Sequence, residues 1–220
     1  MHETVENLIK IKSNINSNFN NLNQKLTYPK IIAVSKTFNL DKIMPLIEYG
    51  HTDFGENKVQ EALEKWSEIK KKRSINLHLI GKLQTNKVKH AIKIFDFIHS
   101  LDSQKLADKI SDEQRKQNIE NKYFIQVNIG NEKQKSGIEK DNVKEFYAYC
   151  RKLNLNIIGL MCIPPFGQAP SKFFVEMKKI NLDIGLEHLS MGMSSDYIKA
   201  IENNSTYVRV GSSIFGERSR

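Results

Sequence analysis

The sequence has little cysteine, only Cys150 and Cys162 in 220 residues. The two do not form the close pair that a metal knuckle or redox motif needs, and so few thiols point to a reducing, cytoplasmic setting. Long apolar runs are lacking as well, which excludes a helical membrane span. The opening MHETVENLIK does not have the charged-then-apolar plan of a signal peptide. No G-x-G-x-x-G follows the first strand-like run, which counts against a dinucleotide-binding sheet. Acidic residues fall short of basic ones, 25 against 34, leaving a net charge of +9. The excess is mostly lysine scattered over helix faces. The one dense run, Lys70-Lys71-Lys72-Arg73, falls at a helix end, where cations complement the dipole. Aromatics are not interleaved with arginine as a base-stacking platform requires, so the charge is expected to serve a solvated surface rather than nucleic acid.

What remains is an ordinary folded composition, 39% hydrophobic and 27% charged, in a chain long enough for one domain over 1–220 with a substantial core. An opening amphipathic helix gathers Val5, Leu8, Ile9, Ile15, Phe19 and Leu22, and helical spacing persists through the asparagine-rich stretch 13–23. From Pro29 the rhythm changes to short apolar runs, each followed by a helical pattern. The runs are Ile31–Val34, Thr52–Phe54, Leu77–Ile80, Phe97–Ser100, Tyr123–Val127, Ile157–Met161, Glu187–Ser190 and Tyr207–Val210. The intervening helices carry apolar residues three or four apart, as in Val59, Leu63, Trp66, Ile69 and in Val143, Phe146, Tyr147, Cys150, Leu153. Strand–helix alternation implies a parallel sheet, because each parallel connection needs a crossover. Eight repeats in this length favour an α/β fold of the TIM type, a single (β/α)8 barrel with an extra N-terminal helix; an open sheet is the alternative.

In such a barrel the chemistry sits where the strands end. Those ends read Lys36, Glu56-Asn57, Gly81, Asp102, Asn128, Met161 to Pro165, Ser190 to Ser194, and Arg209 to Ser213. Lys36 shares a strand face with Ile32 and Val34, while Ala33 and Ser35 take the other. A lysine beside inward-pointing aliphatics is suited to attack a carbonyl and form a Schiff base, since burial favours the neutral amine. A lysine snorkelling at a strand end is the other reading. In Tyr207-Val208-Arg209-Val210-Gly211-Ser212-Ser213 a strand breaks into a turn of backbone N–H groups and hydroxyls that can cradle an anion. The preceding strand supplies a matching half, Ser190-Met191-Gly192-Met193-Ser194. These two loops are where barrels often hold phosphate, although either could be a simple turn. Arg209 shares a face with Tyr207 and Gly211 and needs an acceptor inside the barrel. A cofactor's pyridine nitrogen would serve, left unprotonated by a partner that keeps its own charge. An ion pair with Glu187 or Asp53 would serve as well. Cys162, just past Met161, reads as a small buried filler.

These residues also carry a likeness. The segments AVSKT (33–37), FGENKVQE (54–61), HLIGKLQTNK (78–87), IHSLD (98–102), QVNIGNEKQKSG (126–137), GLMCIPP (159–165), LSMGMSSD (189–196) and TYVRVGSSIFGER (206–218) occur in order along nearly the whole chain. Together they resemble the pyridoxal phosphate homeostasis proteins, whose fold is similar to the barrel domain of alanine racemase. The resemblance implies pyridoxal 5'-phosphate as cofactor and Lys36 as its Schiff-base lysine. It implies phosphate contacts from Ser194, Gly211 and Ser212, and Arg209 near the ring nitrogen. Asn57, Met161 and Ser190 would line the ring pocket, and Met193 of the same loop is counted with them. Two departures are small. Ser212 stands where the family usually has threonine and keeps the hydroxyl. Asn204 stands near a usual glycine and tolerates a left-handed backbone.

The resemblance implies a non-catalytic carrier: a cytoplasmic protein that holds pyridoxal phosphate and passes it to dependent apoenzymes, with neither membrane nor nucleic acid as partner, and monomeric. Only Gly211 to Arg220 follow the last strand in this sequence, so the tyrosine-bearing β-domain of alanine racemases is not expected. The alternatives are a weak pyridoxal phosphate-dependent racemase or transaminase, a cofactor-free Schiff-base aldolase, which would usually carry its lysine on a later strand, and a nucleic-acid binder.

Overall fold

The computed structural model describes residues 1–21, 27–132 and 134–217. Nine strands lie in one all-parallel sheet: β1 (Lys30–Val34), β2 (Asp53–Glu56), β3 (Asn76–Leu79), β4 (Phe97–Leu101), β5 (Lys122–Asn128), β6 (Ile138–Glu139), β7 (Ile157–Cys162), β8 (His188–Met193) and β9 (Tyr207–Val210). Eight of them run in the order β4-β3-β2-β1-β9-β8-β7-β5, and a β4–β5 pairing closes the ring. The (β/α)8 barrel expected from the alternation is therefore present, and the open sheet is not. The two-residue β6 hangs on β5 outside the ring and has no counterpart among the runs read from the sequence. Around the barrel lie α2 (Leu40–Glu48), α3 (Val59–Lys72), α4 (Val88–Ile94), α5 (Gln104–Gln117), α6 (Val143–Lys152), α7 (Ser171–Asp183), α8 (Tyr197–Glu202) and the single turn α9 (Ser212–Phe215).

The period-2 alternation of each strand divides its side chains between two cores. Ile31, Ala33, Leu77, Leu79 and Ile98 pack outward under the helices. Ile32, Phe97, Phe124, Met161 and Tyr207 form a separate buried cluster that fills the barrel. The helices bury the faces their spacing predicts: Val59, Ala62 and Trp66 in α3, and Val143, Phe146 and Cys150 in α6. The extra N-terminal helix α1 (Glu3–Asn21) buries Val5, Leu8, Ile11 and Ile15. Ile9 and Phe19 sit at its margin, and Leu22 lies outside the described residues.

Two local expectations need correction. The strand read as Thr52–Phe54 continues through Gly55 to Glu56. Gly55 looks like a stop signal, yet a Cβ there would come within 2.8 Å of Ile32, so the glycine makes room inside the barrel. The Lys70–Arg73 run does end a helix, but Lys70 is not simply solvated. Its amine donates to the Ile94 carbonyl at 2.8 Å and pairs with Asp96. No helix among the described residues is long and apolar enough to cross a membrane.

Candidate functional site

A cavity of about 410 Å³ opens at the mouth formed by the C-terminal strand ends. That lies within the usual range for small-molecule sites. Four of the strand ends that build it deliver residue types with a chemical use. Lys36 follows β1 and sits beside Val34, so the alternation that sends Ile32 into the barrel carries the amine to the mouth. Asn57 follows β2, Met193 and Ser194 close β8, and Arg209, Gly211 and Ser212 come from β9 and its turn. Seven of the nine residues predicted to touch a cofactor thus line one cavity. Met161 and Ser190 do not. Both are buried beneath it, Met161 in the barrel's apolar fill and Ser190 as a partner of Arg209.

The backbone carrying Lys36 is held from behind. Ser35 points to the outer side, where its hydroxyl donates to the buried Glu56 carboxylate at 2.7 Å. The same Glu56 oxygen accepts from Lys65 and from the Trp66 indole, each at 3.0 Å. Lys65 also donates to the Ser35 carbonyl at 3.0 Å. One residue on, Thr37 adopts a left-handed φ of 68° with its N–H bound to Glu61 at 2.7 Å. Lys36 therefore sits between two anchored neighbours and is itself half-buried.

The two loops expected to cradle an anion do meet. The Ser194 hydroxyl accepts from the backbone N–H of Gly211 at 3.2 Å and of Ser213 at 3.4 Å, joining the end of β8 to the turn after β9. This places hydroxyls and backbone donors around one corner of the cavity, the donor set a phosphate takes. Gly192 supplies the bend before Ser194 with φ of 90°.

Arg209 is buried and points inward. Its Nη1 donates to the Ser190 carbonyl at 2.6 Å and hydroxyl at 2.7 Å, and its Nη2 to the Cys162 carbonyl at 2.9 Å. Neither proposed acidic partner meets it. Glu187 is exposed, and Asp53 binds His78 at 3.1 Å instead. Three bonds leave donor capacity on Nη2 and Nε for an acceptor in the cavity. Burial draws the Arg209 pKa below its ordinary value, from a starting point far above neutrality. Cys162 is the buried filler its position suggested; burial pushes its thiol up to about 12.

Several wall residues were not singled out from the sequence. Phe38 stacks on Phe215 with ring centroids 4.9 Å apart, and Ile80, Ile163 and Ser195 also line the cavity. Phe38 lies four positions past the end of β1, and Ile80, Ile163 and Ser195 lie one or two positions past theirs. His78 and His99, fully buried inside the barrel, were missed too. Alternation beside Leu77, Leu79 and Ile98 marks both as inward-facing.

Compared with known proteins, residues 12–219 match the model of the alanine racemase N-terminal domain family. The chain is 40% identical over 199 residues to a pyridoxal phosphate homeostasis protein of Aquifex aeolicus, covering 86% of this chain and 87% of that one. Among solved structures, PipY of Synechococcus elongatus PCC7942 with PLP bound superposes with a TM-score of 0.80 at 31% identity, covering 92% of this chain and all of that one. The alanine racemase of Clostridium difficile shares the fold, with a TM-score of 0.70 at 14% identity. That match covers 99% of this chain but 57% of the racemase.

Proposed function

Since the chain belongs to the alanine racemase N-terminal domain family, and within it to the pyridoxal phosphate homeostasis proteins, we propose that its barrel mouth binds pyridoxal 5'-phosphate and serves to hold and deliver it. The observation that carries this reading is the convergence of Lys36, Arg209 and the Ser194–Gly211–Ser212 corner on one cavity. The cofactor supplies an aldehyde that condenses with a primary amine, with loss of water. Lys36 offers that amine, and the anchored Ser35 and Thr37 fix where it is presented. Ser194, Ser212 and the N–H groups of the β9 turn suit the phosphate. Asn57 and Met193 border the space left for the ring, which Met161 and Ser190 support from below. Arg209 is placed to donate to the ring nitrogen from Nη2 or Nε.

A donor that keeps its own proton leaves the ring nitrogen unprotonated and the ring a weak electron sink. That favours storage over amino-acid turnover, in keeping with relatives named for homeostasis. We place the protein in the cytoplasm, where the two buried free thiols Cys150 and Cys162 stay reduced. It acts there as a one-domain monomer over residues 1–220, with pyridoxal phosphate-dependent apoenzymes as recipients.

The test is chemical. Loading with pyridoxal phosphate, reduction with borohydride and digestion should place the label on the Lys36 peptide. Lys36→Ala should fold normally and take no label. A label on another lysine, or none on the native protein, overturns the assignment. A rate of racemisation or transamination above that of free pyridoxal phosphate would replace the carrier reading with an enzymatic one.

A further inference from the structure

Below the cavity, a continuous line of buried polar groups runs through the barrel from Arg209 to Asp53. Arg209 Nη1 lies 2.7 Å from the Ser190 hydroxyl. That hydroxyl lies 2.9 Å from His99 Nδ1, His99 Nε2 lies 3.0 Å from His78 Nδ1, and His78 Nε2 lies 3.1 Å from Asp53 Oδ1. Proton positions follow from the two ends. Arginine can only donate, so the Ser190 oxygen accepts from it. A carboxylate can only accept, so His78 donates to Asp53 from Nε2, and a neutral ring leaves its Nδ1 as an acceptor. His99 Nε2 must then carry its ring's proton and donate to His78, which leaves His99 Nδ1 to accept the Ser190 hydrogen. Every link points the same way, from a buried cation to a carboxylate near the far end of the barrel.

The rings have little freedom to depart from this arrangement. His78 stacks on Phe97 at 4.4 Å and 12°, and His99 stacks on Phe124 at 4.3 Å and 17°. Burial disfavours the charged form of both imidazoles. Asp53 is anchored in turn by Thr52 at 2.8 Å and Asn76 at 3.2 Å. Protonation of His78 would give it hydrogens on both nitrogens, reversing the His78–His99 link and then the His99–Ser190 link. Ser190 would then receive two donors and lose its own acceptor in the line.

From this geometry we infer that Ser190, His99, His78 and Asp53 are positioning residues. They form a one-way hydrogen-bond line that keeps the Ser190 hydroxyl oriented to accept from Arg209, and so fixes the guanidinium under the cavity. Its consequence for the ligand rests on the reading of Arg209 given above; the proton arrangement does not.

The decisive measurement uses the full chain without cofactor and needs no turnover. Long-range ¹H–¹⁵N spectra of histidine-labelled protein, assigned with His78→Gln and His99→Gln, should show both rings neutral with the proton on Nε2 at neutral pH. A cationic ring, or a proton on Nδ1 of either, overturns the proposal. Asp53→Asn keeps an acceptor for His78 and should leave both tautomers unchanged, whereas Asp53→Leu should mix them. Unmixed tautomers in folded Asp53→Leu count against the line, and if that variant does not fold the native tautomers decide. Ser190→Ala should weaken pyridoxal phosphate binding about tenfold and shift the bound cofactor's absorption band, the scale of a lost charge-assisted hydrogen bond. Unchanged affinity and spectrum in folded Ser190→Ala would also overturn the positioning role. Failure of the native protein to take the Lys36 label would instead strike the functional reading while leaving the tautomer result standing.

Discussion

The Ser35 hydroxyl reaches the buried Glu56 carboxylate at 2.7 Å, one residue before the lysine that the barrel presents at its mouth. Glu56 is fully buried, and its Oε1 also takes Lys65 and Trp66, whereas Oε2 has no partner among the described residues. Glu56→Gln would keep one acceptor oxygen, remove the charge that Lys65 pairs with, and bury an amide hydrogen donor where nothing accepts it. Stability should fall by about 1–3 kcal/mol. Urea denaturation followed by tryptophan fluorescence reads this directly, because Trp66 is the sole tryptophan and donates to Glu56. An unchanged midpoint would mean the clamp contributes nothing.

Ser194 tests the phosphate corner. Its hydroxyl is the group that ties Gly211 and Ser213 to β8. Ser194→Ala should weaken pyridoxal phosphate binding about tenfold, as loss of a hydrogen bond to a charged acceptor does. Binding of pyridoxal, which has no phosphate, should change little. Equilibrium dialysis with both ligands separates the outcomes. An equal loss for the two would move Ser194 away from the phosphate.

Much of this site is legible in the sequence, for reasons particular to each residue. Lys36 could be placed because a strand reading Ile31-Ile32-Ala33-Val34-Ser35 has a period of two, and the amine inherits the inward parity of Ile32 and Val34. Asn204 could be read as left-handed from its residue type, and its φ is 66°. Thr37 could not. Its φ of 68° runs against the preference of a β-branched residue, and it is held by Glu61, whose pairing becomes visible only once α3 is packed on the barrel. The partner of Arg209 was misjudged for a similar reason. Asp53 does belong to the same polar system, but three intervening groups connect them, and no sequence spacing encodes such a relay. The short β6 is too brief to carry a periodic signal of its own.

Acid should destabilise the fold through His51. The ring is buried, donates from Nε2 to the Asp53 carbonyl at 2.9 Å, and has its pKa pushed by burial from 6.5 down to about 4. Between those values the unfolded chain binds more protons than the native one, so stability falls as the pH drops from 6.5 toward 4 and is unaffected by this group above 6.5. Two and a half pKa units correspond to roughly 3 kcal/mol. His51→Gln keeps a donor for the Asp53 carbonyl and has nothing to titrate. Measured by urea at pH about 7 and about 4.5, the variant should lose about 2 kcal/mol less than the native protein across this interval. Equal losses would assign the acid sensitivity to other groups.

Gly192 provides the sharpest test of how the phosphate corner is shaped. Its φ of 90° is a conformation that side chains rarely adopt, and a Cβ there would fall 2.6 Å from the Ala200 Cβ and 3.0 Å from the Tyr197 Cα. Gly192→Ala meets both penalties, backbone strain and overpacking against α8, for a loss of about 3 kcal/mol. The contributions separate in a double-mutant cycle. Ala200→Gly removes the closest methyl group and costs about 1 kcal/mol by itself as a helical glycine. Placed on that background, Gly192→Ala should cost only the backbone share, about 1–2 kcal/mol. Thermal or urea unfolding of the four proteins gives the coupling. If the cost of Gly192→Ala is the same with and without Ala200→Gly, the bend is dictated by φ alone. If it vanishes, packing against α8 sets the path of the loop that brings Ser194 to Gly211.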